Sequence, residues 1–246
     1  MLQTVEKLDA RRDSHRSQSA LAEIKSKLRD PKTAAIASII LEHVTVPIRR
    51  ALVVGCGSGV EAAVLASELQ AKVVGIDLDG SFDDVAAGRV DLRRGDATSL
   101  DFDDGEFDFV FSYHVLEHIP EYGKALTEMA RVLSPGGTYC VGTPNRLRLI
   151  GYLGGKGATW REKIAWNVAD WNAQLHGRFR NEFGAHAGFS ADELKAALKQ
   201  AFARADDITL PYYLRLYRDQ ARAVSLLEKS GLGRLLFPSV YFMGRK

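Results

Sequence analysis

The residues with the most chemistry to offer sit in and just beyond 51-ALVVGCGSGVEAAVLASEL-69. Apolar residues lead into Gly55, Gly57 and Gly59, and a helical pattern follows at once. A glycine-rich turn between a strand and a helix lets the backbone approach a ligand with no Cβ in the way. The helix N-terminus beyond it offers free N–H groups. Asp77 closes the next apolar run, KVVGID, 22 residues after Gly55. A carboxylate there can accept from both hydroxyls of a ribose. Asp96 follows a third run, VDLRRGD, where an acid can accept from an adenine amino group. These features read as a nucleoside-binding half-site. A dinucleotide fold wants its third glycine where Val60 stands, and Glu61 is a poor neighbour for a pyrophosphate. The turn is shaped for a ligand without phosphates, which disfavours a nicotinamide dehydrogenase.

Proton chemistry falls to the histidines. An imidazole, with an ordinary pKa of about 6.5, can take the proton of an alcohol or phenol and so accelerate its reaction by roughly 10²–10⁴-fold. His114 is the first such group after the apolar run FDFVFSY, and His118 follows it. His176 and His186 lie in HGRFRNEFGAHAGFS. Glu117 and His118 together offer only two ligands to a divalent ion, so no metal site is expected.

The elements that must position these groups alternate. Asp30-Pro31 is an N-cap with proline at the first helical position, and Ile36, Ile39, Ile40 and Val44 line one face of the helix that follows. An earlier helix is expected over 17–29. Strands are expected at 51–55, 72–77, 90–96, 107–113 and 137–143, with helices over 59–69 and 121–133. Near-continuous apolar strands alternating with helices mean a parallel sheet covered on both faces. Residues 144–190 break the rhythm and hold all three tryptophans. Thr159 and Glu162 form a capping box. Behind it Trp160, Ile164, Val168, Trp171 and Leu175 share one helical face. That stripe either packs a cap onto the sheet or walls an apolar or sugar ligand. Ser190 and Glu193 form a second capping box. A strand near 203–210, a helix near 215–230 and a strand over 237–245 complete the pattern, with an antiparallel edge. Four segments result: an N-terminal helical segment (1–48), a cofactor-binding core (49–145), a helical cap insertion (146–189) and a C-terminal part of the core sheet (190–246).

Composition sets the outer bounds. The 246 residues, 46% of them hydrophobic, can bury a large core. A net charge of +2, from 33 basic and 31 acidic residues, gives no nucleic-acid footprint. Cys56 and Cys140 sit in apolar runs and point to a reducing compartment without disulfides. With no secretory h-region and no run of the roughly 18–20 apolar residues a membrane span needs, a cytoplasmic setting is expected. Arg11-Arg12 and Arg146/Arg148 read as solvated faces, with Arg146 an alternative contact for an anionic acceptor.

In order along the chain, VVGCGSGVEA, GIDLD, GDATSLDF, FDFVFSYHVLEHI and RVLSPGGTYCVGTPN resemble the successive motifs of class I S-adenosylmethionine-dependent methyltransferases. The resemblance covers residues 49–145 closely and 186–245 in outline. It implies a Rossmann-like, doubly wound α/β fold with a seven-stranded sheet, mostly parallel with one antiparallel strand. By the same resemblance Gly55, Cys56, Gly57 and Gly59 belong to the cofactor turn, whose first three residues line the methionine part. Asp77 would bind the ribose, Leu78 would pack on the adenine, and Asp96 with Ala97 would hold the adenine edge. Ser112 and Tyr113 would pass close to the sulfonium, and LEHI pins its loop to the sheet.

The family then implies an enzyme whose cofactor is S-adenosylmethionine. The expected acceptor is a small molecule or carbohydrate, through a hydroxyl, with His114, His176 or His186 as base. The loop Ser-Tyr-His-Val lacks the Asp/Asn-Pro-Pro-aromatic pattern of amino-methylating DNA enzymes. It also lacks the paired glutamates of protein arginine methyltransferases. An RNA methyltransferase and a non-catalytic cofactor-binding protein are the alternatives. The sequence leaves the acceptor and the oligomeric state open.

Overall fold

The computed structural model describes residues 30–44, 47–152, 158–181 and 187–246. The expected helix over 17–29 and the Arg11-Arg12 cluster lie outside them. Seven strands form one sheet in the order β3-β2-β1-β4-β5-β7-β6. They are β1 (Arg50–Val54), β2 (Lys72–Asp77), β3 (Asp91–Arg94), β4 (Phe107–Tyr113), β5 (Leu133–Pro144), β6 (Asp206–Asp207) and β7 (Ser239–Arg245). The first five run parallel, and β7 runs antiparallel to both β5 and β6.

The sheet is parallel because its strands are apolar on both faces. Along β1, Ala51 and Val53 join one hydrophobic cluster while Leu52 and Val54 join the other. Each fully buried aliphatic side chain stabilises the fold by about 1.5–3 kcal/mol. One face is covered by α1 (Pro31–His43), α2 (Val60–Leu69) and α7 (Thr209–Leu216). The other is covered by α4 (Tyr122–Val132) and α6 (Ala191–Ala201). A short α3 (Asp84–Ala87), α5 (Trp160–Leu175), α8 (Ala221–Lys229) and α9 (Gly233–Leu236) complete the described helices. The capping signals work as expected: Asp30 accepts from Thr33 N, and both capping boxes close. Cys56 and Cys140 are buried free thiols.

Two expectations need correction. The strand near 203–210 is only the pair Asp206–Asp207, and the helix expected near 215–230 is split into α7 and α8. Pro211 lies in the first turn of α7, where a missing N–H costs nothing, and Thr209 N is met by Asp207 Oδ1 at 2.8 Å. Those contacts start a helix where the apolar run alone reads as strand.

Candidate active site

The strand order reverses between β1 and β4, and in open α/β sheets ligands bind at the carboxyl ends of the strands there. The glycine turn leaves β1 at that point, and His114 leaves β4. Gly55, Gly57 and Gly59 all have positive φ, at 70°, 52° and 84°. Gly55 and Cys56 N–H both donate to Ile76 O, which ties the turn to β2. A Cβ on Gly55 would lie 2.1 Å from Val115 Cγ2, so glycine lets the loop after β4 close against the turn. A Cβ on Gly57 would meet nothing within 4 Å, because that residue borders open space.

That space is a cavity of about 380 Å³ whose lining includes Gly55, Gly57, Asp77, Leu78, Asp96 and Ala97, together with His114 and His118. Asp77 Oδ2 accepts from Gly57 N at 2.8 Å and Oδ1 from Asp79 N at 3.1 Å. Each oxygen keeps a lone pair for a ribose hydroxyl. Leu78 is 65% exposed on the wall, where it offers an apolar platform. Asp96 Oδ1 accepts from Thr98 N and Oγ1, both at 2.8 Å, which lowers its pKa and leaves Oδ2 free of them. An apolar shelf, two fixed carboxylates and a bare glycine suit a nucleoside joined to an amino acid.

Cys56, Gly59, Ser112 and Tyr113 are not among the residues that line this cavity. Cys56 is buried, and its thiol is pushed up to about 12, chiefly by burial. Gly59 starts α2, and its missing Cβ makes room for Leu92. Ser112 is buried with no partner for its Oγ. Tyr113 lines a second cavity.

This second cavity, about 350 Å³, has a floor of tyrosine rings. Tyr113 of β4, Gly142 of β5 and Tyr241 of β7 lie side by side across the sheet. A Cβ on Gly142 would come within 2.6 Å of Tyr241 and 2.9 Å of Tyr113. Without it the two rings stack, with centroids 5.3 Å apart. Tyr212, Tyr213 and Tyr217 arrive from α7 and its C-terminal cap, and Tyr152 from the cap segment. Tyr213 Oη accepts from Ser239 N at 3.0 Å and donates to Ser239 O at 3.3 Å. Burial raises the pKa of Tyr113, Tyr212, Tyr213 and Tyr241, so these hydroxyls stay neutral. Lys32 and Arg148 bring positive charge to the same cavity. The cluster 211-PYYLRLY-217 was a visible signal that sequence reading passed over.

His114 lines both cavities. Its backbone is left-handed, φ 57°, an uncommon state that histidine tolerates better than most residues. His114 N donates to Gly142 O at 3.0 Å, its ring lies 4.0 Å from that of Tyr113, and Nε2 is 3.2 Å from Ser239 Oγ. His176 caps the end of α5, exposed, with Nδ1 2.8 Å from Asn172 O, and lines neither cavity. His186 lies outside the described residues.

Two readings of the cap are corrected. Arg148 is not a solvated cation: it is buried, bound to Asn145 O, Ala187 O and Asp170. Arg146 pairs with Glu193 at 2.7 Å. The Trp160–Leu175 stripe does not pack the cap onto the sheet; Trp160 is 72% and Leu175 85% exposed. The helix attaches through polar groups instead. Asn167 accepts from Gly151 N at 2.7 Å, Asp170 holds Arg148 and Tyr152, and Trp171 Nε1 donates to Leu149 O.

Beyond the histidine, Glu117 is buried and neither carboxylate oxygen meets a hydrogen-bond donor. His118 Nε2 lies 4.0 Å from Oε1. Among the described residues no three His, Cys, Asp or Glu side chains converge as an ion site. Burial, opposed by the Arg148 charge, pushes the carboxyl up to about 7. The folded chain therefore binds more protons than the unfolded chain between about 4.5 and 7. The stabilisation is full below that window and is lost as pH rises through it. Glu117→Gln should flatten this dependence: relative to the parent it gains on the order of 3 kcal/mol between pH 5 and pH 8. Glu61, also pushed up to about 7 by burial, titrates in both proteins and cancels. Urea titrations at the two pH values read the difference, and a pH-independent gap would show that Glu117 does not titrate there.

Residues 52–141 match the family model described as a methyltransferase domain. That span is a methyltransferase domain. It is 37% identical, over 40% of its length and 39% of the relative, to a Mycolicibacterium smegmatis protein described as a probable S-adenosylmethionine-dependent methyltransferase. It is 31% identical to the chloroplastic tocopherol O-methyltransferase of Arabidopsis thaliana, over 53% of this chain and 38% of that one. The chain thus spans about two fifths of the length of these curated relatives. In fold it is similar to a methyltransferase structure from Thermotoga maritima, with a TM-score of 0.53 at 17% identity, covering 94% of this chain and 97% of that one. S-adenosylmethionine is the cofactor of the methyltransferase family, and the carboxylates of Asp77 and Asp96 with apolar Leu78 suit its nucleoside part. The matched region ends before the cap, α7 and β7, so the tyrosine cavity belongs mostly to the part of the chain outside it.

Proposed function

We propose that the chain transfers the methyl group of S-adenosylmethionine to a hydroxyl of a small-molecule acceptor seated in the tyrosine-lined cavity, with His114 removing the hydroxyl proton. One observation carries this reading: His114 is the titratable side chain that borders both the nucleoside-shaped cavity and the tyrosine cavity. When bound, S-adenosylmethionine supplies a methyl group already activated on a sulfonium. The protein's own work is alignment and proton removal, and alignment alone can lower a barrier by about 7–11 kcal/mol.

The tyrosine rings offer flat apolar contact, which suits an acceptor with an aromatic or aliphatic body. The name of the Arabidopsis relative, an O-methyltransferase, supports oxygen as the accepting atom. Ser239 Oγ can donate to His114 Nε2 or accept from it, so it orients the ring in either charge state. The Lys32 charge would stabilise an oxyanion developing in the cavity, whereas Arg148 is already paired with Asp170.

A labelled-cofactor assay across phenols and alcohols identifies the acceptor. Tyr217→Ala then tests the cavity. Tyr217 lines it at 40% exposure, away from the cofactor residues. Its loss should raise the acceptor KM roughly tenfold, the size of one aromatic contact, and leave cofactor affinity unchanged. An unchanged KM would move the acceptor out of this cavity.

A further inference from the structure

The outward face of α5 has no role in the chemistry above. Trp160, Ile164, Val168, Trp171 and Leu175 are all between 43% and 85% exposed. Leu149 and Ile150 are exposed beside them, and the Trp171–Leu149 hydrogen bond, at 2.6 Å, ties that loop to the helix. Large apolar groups gathered this way on a protein surface mark an interaction site.

The charges around the face decide what covers it. Arg161 lies on α5, and Arg178 and Arg180 directly follow it. All three are exposed and form no ion pair with any described residue. The acids of the same segment are occupied: Glu162 closes the capping box, and Asp170 holds Arg148 and Tyr152. A second copy packed face to face about a two-fold axis would set unmatched arginines against arginines. An anionic surface would match them. Indole rings flanked by cations are the composition that sits at a bilayer interface. No described helix is long and apolar enough to cross a membrane, so the contact would lie in the interface plane.

We propose that α5 and the Leu149–Ile150 loop dock this chain on an anionic lipid surface. The same loop leads into Gly151 and Tyr152, which line the tyrosine cavity, so docking would set the cavity mouth against the lipid.

Sedimentation of the full chain with vesicles tests this. Each arginine near an anionic surface contributes about a fivefold factor, so phosphatidylcholine vesicles containing phosphatidylglycerol should bind roughly 100-fold more tightly than phosphatidylcholine alone, and salt should erase the gap. The double variant Trp160→Glu with Leu175→Glu should bind the anionic vesicles at least tenfold more weakly, with circular dichroism and melting unchanged. Both substitutions fall on largely solvated side chains, Trp160 at 72% and Leu175 at 85% exposure, so folding is spared. Equal binding to the two vesicle types, or equal binding by variant and parent, overturns the proposal. So does a parent dimer, seen by sedimentation equilibrium, that the double variant abolishes, because a second copy would then cover the face. The readout is lipid binding alone, so it stands or falls independently of the acceptor cavity.

Discussion

Asp77→Ala should weaken S-adenosylmethionine binding by roughly 10²–10⁴-fold, while Asp79→Ala should change it by only a few fold. The Asp77 carboxylate acts twice. It accepts from Gly57 N and Asp79 N, which fixes the glycine turn against the end of β2. It also presents its remaining lone pairs to the cavity, where two charge-assisted hydrogen bonds to ribose hydroxyls would contribute about 1.5–3 kcal/mol each. Alanine removes both. Asp79 is exposed two residues further on, and its Oδ1 accepts only from Ser81 Oγ among the described residues. Titration calorimetry with S-adenosylmethionine measures both variants. Equal affinities would mean that the ribose is held elsewhere.

His114→Asn should lower the rate of methyl transfer by roughly 10²–10⁴-fold and leave cofactor affinity within a few fold. Asparagine is the informative replacement because it tolerates the left-handed backbone that His114 adopts, so the loop keeps its course. It cannot take a proton. The parent rate should rise with pH as the imidazole loses its proton, and the variant's residual rate should not follow that curve. Single-turnover measurements separate the chemical step from product release. If His114→Asn turns over normally and His176→Ala or His186→Ala is inactive, the base belongs to the cap. If all three turn over, the proton leaves without help from histidine, and an amine or thiol becomes the better acceptor.

The part of the site legible in the sequence is the part built from consecutive strand–helix units. Gly55, Gly57, Asp77, Leu78, Asp96 and Ala97 each end a strand or follow one within a few residues, so an apolar run, a glycine turn and an acid locate them. A parallel strand needs no distant partner to announce it: β1 reads as buried because every second residue on either face is apolar. The same holds for the helix caps at Asp30, Thr159 and Ser190, where one side chain answers an N–H three residues away.

The tyrosine-lined cavity was decided only by the tertiary structure. Tyr113 and Tyr241 stand 128 positions apart and meet only because antiparallel β7 pairs with β5 and because Gly142 between them has no side chain. Arg148 looks like a surface cation until Asn145 O, Ala187 O and Asp170 surround it. The helical period over 160–175 names an apolar stripe but not its direction. Asn167 and Asp170 turned inward because Gly151 and Arg148 were there to bond them, and that left the tryptophans facing out. Period is a property of neighbours along the chain. Which face is buried depends on what the rest of the chain brings to it, and buried polar groups go where their partners are.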